Sequence, residues 1–226
     1  MAFKSRKIAW VMVAVSLITV SAFALLPSSG DPTTFKTSVF GDTYVSTANP
    51  TAMYGRDTSF WVSKVGPVEN WGLLSFDVAS SLPASVVIVR ARIKMLVTES
   101  YGTFPATMVA GRLLADFSEA TVTYNTAPAA AFDVSSNTVF TKGPMNGFTA
   151  FVDVTQQLRA WRDSGQKTLF GLVLTMDRAT ANAGIAFASR ESTSLDGPIL
   201  QVFTLPPGQY GYRIPLGETF VVRTSN

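Results

Sequence analysis

The chain has 226 residues, with 18 Lys and Arg against 15 Asp and Glu, and contains neither cysteine nor histidine. Without cysteine there are no disulfides, and without histidine the commonest general base and transition-metal ligand is gone. Serine or cysteine triads, zinc hydrolases and copper sites are thereby excluded in their usual forms.

Lys4, Arg6 and Lys7 precede Ile8–Leu26, an uncharged stretch of 19 residues that ends in the small-x-small run Ala22-Phe23-Ala24. This is the pattern of an export signal, so residues 1–24 are read as a signal peptide and 25–36 as an exposed leader. An uncleaved anchor is the alternative, since such a length can just span a bilayer. Three of the cations sit in that segment, leaving 15 against 15 beyond it. The alkaline sequence pI therefore gives no ground for a nucleic-acid partner, and none is expected. The remaining ~200 residues suffice for one sandwich or barrel.

Short apolar-alternating runs follow, separated by Gly, Pro, Asn and Ser: Thr37–Ser46, Ser59–Lys64, Gly72–Val78, Val86–Thr98 and Ala106–Asp116. Further on come Thr121–Asn125, Phe148–Val154, Thr168–Met176, Gly184–Ser189 and Pro198–Leu205. Val, Ile, Phe, Thr and Tyr dominate them, which predicts an all-β sandwich over 37–205. In the fourth run a period of two assigns Val87, Val89, Ala91, Ile93, Met95 and Val97 to one side. Arg90, Arg92 and Lys94 fall on the other, about 7 Å apart along a strand. One helix is expected over Thr155–Asp163, with Asp153 or Thr155 at its start, Leu158 and Trp161 on one face and Gly165 closing it. Pro206-Pro207-Gly208 breaks the last strand, and 206–226 reads as a tail with one possible extra strand.

Several phrases then stand in one order: Gly41-Asp42 with Tyr44-Val45, Asn49-Pro50, Tyr54-Gly55, Leu73-Leu74 with Phe76-Asp77, and Ala91-Arg92-Ile93. After them come the run from Asp116 through Ser118-Glu119 to Tyr124-Asn125, then Val152-Asp153 with Ala160-Trp161, and Phe187-Ala188-Ser189-Arg190-Glu191. In that order and spacing they resemble the DNRLRE domain, a disaggregatase-related family also described as carbohydrate-binding module family 96, over about Val39 to Thr204. The resemblance implies a jelly-roll-like β-sandwich in a secreted or cell-surface protein, with polysaccharide, in some members acidic, as ligand. Phe117 and Tyr124 stand where the family commonly carries Trp. Each keeps an aromatic for packing but would weaken any stacking on sugar.

Four groups of residues are candidates for function. Arg90, Arg92 and Lys94 can pair with uronic-acid carboxylates along an extended glycan, or be a solvated strand face that discourages edge pairing. Arg190 and Glu191 can form a structural polar network with each other and with Asp42 or Asp77. Asp42, Asp57, Glu191 and Asp196 are the oxygens available for a structural calcium ion, although no DxDxDG run is present. Trp61, Trp71, Tyr101 and Tyr124 can stack on sugar rings or pack the rim; Tyr101, in an expected loop Glu99–Pro105, is the exposed one.

Catalysis finds little support in this inventory. A lyase could use Tyr with Arg or Lys, and a glycosidase needs two facing carboxylates, for which Asp116/Glu119 and Glu191/Asp196 are the pairs at hand. The adopted expectation is an exported, non-catalytic module that recognises extracellular or cell-wall polysaccharide. The alternative is a structural subunit of a surface layer, matrix or filament, self-assembled when its C-terminal tail adds a strand to a neighbour.

Overall fold

The computed structural model describes residues 33–165, 169–180 and 182–207; the expected signal segment and all but two residues of the tail lie outside them. The elements in chain order are β1 Thr33–Ser38, β2 Gly41–Ser46, β3 Ser59–Val65, β4 Val68–Phe76, β5 Val87–Gly102 and β6 Ala106–Leu113. They continue with β7 Ala130–Phe140, β8 Thr149–Asp153, α1 Thr155–Asp163, β9 Phe170–Met176, β10 Asn182–Ala188 and β11 Ile199–Leu205. All pairings are antiparallel, along the path β1-β11-β5-β10-β3-β4-β9-β6-β7, with β2 on β4 and β8 on β5. The sheet curls over on itself, so Ile93, Met95 and Leu200 from one part meet Leu74, Leu172 and Met108 from the other in a single core. Phe60, Phe76, Phe170 and Phe187 are fully buried there, each stabilising by about 1.5–3 kcal/mol relative to exposure.

Several elements differ from the sequence reading for physical reasons. Thr33–Lys36, read as leader, belong to β1, which pairs with β11 from Thr33↔Thr204 to Ser38↔Ile199. Ala130–Phe140 is a strand that no alternating pattern announced: it lies at the end of the sheet path and leaves Phe132, Asp133 and Val139 exposed. Thr121–Asn125 is instead loop and 3-10 turn, because the Thr123 and Thr126 side chains cap each other's backbone across Tyr124–Thr126. Tyr101 lies on β5 and not in a loop.

The strand β5 carries two bulges. Phe203 pairs with Arg90 while Thr204 pairs with Ile88, so Val89 is an extra residue that reverses the alternation. Val87, expected inside, is therefore 39% exposed, and Ile88 is buried at 1%. Val89, also expected inside, is only half-buried. A second bulge leaves Thr98 extra, where β5 leaves β11 and takes up β10. Such bulges let one strand turn the corner between two layers.

The helix α1 spans Thr155–Asp163 and buries Leu158 and Trp161 against the core, with the Trp161 ring edge-on to Phe170. Asp153 Oδ1 accepts hydrogen bonds from the Thr155 amide (3.0 Å) and hydroxyl (2.7 Å), satisfying one of the free amides at the helix start. Gly165, at φ +70°, follows its last turn. From the helix, Arg159 donates to the carbonyls of Ile88 (2.7 and 3.1 Å) and Val89 (3.1 Å), the groups that the first bulge withdraws from the ladder. Arg159→Met is expected to cost about 2 kcal/mol, since charge-assisted bonds are lost and half-buried carbonyls are left unsatisfied. An unchanged urea midpoint would contradict this role for the helix.

A second, smaller cluster lies outside the main core. Val45, Leu73 and Val173 on the outer side of β2, β4 and β9 are covered by Val122, Phe117 and Tyr124 from the loop after β6. That loop delivers an acidic side chain to the site described next.

Candidate functional site

Three cations of β5 share the outer face of the β8–β5–β11–β1 layer. The cross-strand register places Lys36, Gln201, Arg92 and Asp153 in one line, and Ser38, Ile199, Lys94 and Phe151 in the next. Arg90, Arg92 and Lys94 are half-buried and Lys36 is exposed. Arg90 Nε meets Asp153 Oδ2 at 3.1 Å. Arg92 Nε donates to Gln201 Oε1 at 2.8 Å, and its guanidinium carbon lies 4.2 Å from the Phe151 ring centroid and 5.4 Å from that of Phe203. Cation–π contact thus holds the Arg92 plane between two rings and limits the rotamers it would lose on binding an anion.

Of the four aromatics named from the sequence, the structure makes two pairs. Trp61 and Tyr101 have centroids 5.4 Å apart, and Trp71 meets Tyr124 edge-on at 5.2 Å. Tyr101 stands seven residues beyond Lys94 on β5, roughly 23 Å along a strand, so it does not join the cations.

A polar cluster forms where the start of β2, the loop after β6 and the turn after β10 converge. Asp42 is 1% exposed, and its carboxylate accepts the Arg190 amide at 3.2 and 3.3 Å. Its own amide donates to Glu119 Oε1 at 2.9 Å. Arg190 Nε lies 2.9 Å from Glu191 Oε1 and 3.5 Å from Glu119 Oε2, and the guanidinium also donates to the Phe40 carbonyl. Ser189 Oγ donates to the Asp57 carbonyl at 2.6 Å and accepts the Glu191 amide at 3.1 Å. Burial, reinforced by Glu191 and Glu119 and opposed by the Arg190 amide, pushes the Asp42 carboxyl up to about 7. Burial raises Glu119 as well.

Of the network expected from the sequence, Asp42, Arg190 and Glu191 meet, while Asp77 stands apart: its Oδ1 accepts the Ser80 amide at 3.2 Å. One carboxylate oxygen each from Asp42, Glu119 and Glu191 lies within 4.8 Å of the others, so these are the groups that could face a cation. Asp57 and Asp196, named with Asp42 and Glu191 for calcium, do not join them. Asp57 faces the Tyr44 hydroxyl at 3.4 Å, and Asp196 is exposed. The Arg190 guanidinium already supplies positive charge among the three carboxylates.

A family model described as carbohydrate-binding module family 96 matches residues 33–204, three quarters of the chain. The chain belongs to that family. No curated protein matches it. In this family-96 module, Gly41-Asp42, Tyr54-Gly55, Glu119 and Arg190-Glu191, distant in sequence, come together around the polar cluster. Phe117 and Tyr124 pack on the outer cluster of this module. Sequence reasoning missed Lys36, Phe151 and Phe203 as neighbours of the cationic row. Alternation of Gln201 and Phe203 on the last run was the available signal for one of them. Glu119 was considered only with Asp116, which is exposed.

Proposed function

We propose that this family-96 module is exported and holds an acidic polysaccharide on the outer face of the β8–β5–β11–β1 layer, without catalysing its cleavage. The observation that carries the reading is the composition of that face: Lys36, Arg90, Arg92 and Lys94 against the single carboxylate of Asp153 among the described residues. Their two-residue spacing, about 7 Å, suits repeating carboxylates on an extended glycan better than one small anion. Phe151, 43% exposed, leaves apolar surface beside them for sugar C–H groups. The charged n-region and apolar run of residues 4–26 support export to a secreted or cell-surface location. Carbohydrate-binding modules are generally non-catalytic, and the chain lacks histidine.

Affinity electrophoresis through alginate and through a neutral glucan tests this. The protein should be retarded by alginate, with weakening at higher salt. In Lys36→Gln/Arg92→Gln/Lys94→Gln the affinity should fall roughly 10- to 100-fold, at about 0.5–1 kcal/mol per exposed ion pair. Equal retardation of wild type and variant would overturn the assignment.

A further inference from the structure

We infer that the groove across the outer side of β4, β9, β6 and β7 is a second glycan site, shaped for a neutral sugar unit. It encloses about 450 Å³, within the usual range for small-ligand sites. Its floor includes Val109 and Thr175, which face each other across β6 and β9. Trp71 lines it from β4 and Phe132 from β7.

Both rings are set before any ligand arrives. The Trp71 indole N–H donates to Glu69 Oε2 at 2.9 Å and the ring abuts Tyr124, so the N–H is taken and the ring is braced. Phe132 lies directly over Gly111, where a Cβ would come within 2.7 Å of its ring carbons; any larger residue at 111 would lift the ring out of position. Glu69, Asp177 and Arg178 supply the charged groups of the lining. Asp177 Oδ1 is fixed by the Ala179 amide at 3.0 Å.

Aromatic rings about a small floor, with carboxylates and a guanidinium beside them, match a pyranose: C–H faces meet π surfaces and hydroxyls meet charged acceptors and donors. Glu69 is paired with Lys64 Nζ at 3.5 Å and Asp177 stands beside Arg178, so the lining has no excess of positive charge to draw a uronate, unlike the cationic face. The inference rests on the carbohydrate binding of the family, not on the acidic-polysaccharide reading.

Tryptophan fluorescence and calorimetric titration of the protein with hexamers of β-linked glucose, mannose, xylose and galactose, and with a hexauronate, provide the test. At least one neutral hexamer should bind, and its affinity should fall roughly tenfold in Phe132→Ala and in Asp177→Asn, with a cooperative thermal melt showing that each variant is folded. Neutral binding should be unaffected in Lys36→Gln/Arg92→Gln/Lys94→Gln. No neutral binding, or binding indifferent to Phe132 and Asp177, would overturn the groove. Hexauronate binding lost only in the lysine and arginine variant would then leave the cationic face standing alone.

Discussion

Gly55→Ala should lower the Tm by roughly 10–20 °C. A Cβ at Gly55 would lie 2.0 Å from the Glu119 carbonyl oxygen and 2.7 Å from its carbon, backbone atoms that no side-chain rotation can move. The loop after β6 must lift away. With it go Glu119, which holds the Asp42 amide and faces Arg190, and the Phe117 and Val122 cover over Leu73 and Val173. Overpacking costs about 1–3 kcal/mol and uncovering large apolar side chains about 1.5–3 kcal/mol each, a large part of ordinary domain stability. A thermal melt within a few degrees of wild type would show that the loop is not clamped there.

The second large effect concerns pH. Asp42 ionises near 3.8 in the unfolded chain, whereas the folded protein holds its proton until about 7. Between those values the unfolded state has lost a proton that the folded state retains, so this group makes stability fall as pH rises from about 4 to 7, then level off. The full difference approaches about 3–4 kcal/mol. Asp42→Asn keeps an acceptor for the Arg190 amide and cannot ionise. Its stability relative to wild type should be near zero difference at pH 4 and rise by that amount at pH 8. Urea unfolding of both proteins across this range measures it. A variant less stable than wild type at pH 8 would mean that the ionised carboxylate, paired with Arg190, is what the cluster requires.

What the sequence made readable follows from how strongly burial is imposed. The helix over Thr155–Asp163 was legible because Leu158 and Trp161 must face the core and Gly165 must follow it. β5 was legible from Ala91 to Val97, where inner and outer faces differ sharply, but not at Val89, because a bulge depends on the register of β11, which is adjacent in space but far along the chain, rather than on local composition. β7 escaped notice because much of it faces water and no hydrophobic alternation is demanded of it. The polar cluster shows the same limit. That Arg190-Glu191 lie where a strand gives way to a loop could be seen; that the run Thr37–Ser46 breaks before Gly41 and puts Asp42 at the start of β2, that Glu119 arrives through a long loop and that Asp77 turns back to the Ser80 amide depend on tertiary routing. Likewise, alternation could line up Arg90, Arg92 and Lys94, but only cross-strand pairing adds Lys36, Phe151 and Phe203 beside them.

Chemical-shift mapping of the ¹⁵N-labelled domain with a uronic-acid hexamer addresses the central claim most directly. The expected perturbations cluster at Lys36, Arg92, Lys94, Phe151 and Phe203, leaving the Trp71–Phe132 groove silent. Saturable shifts centred anywhere else, or none at millimolar hexamer, would contradict the assignment of the cationic face.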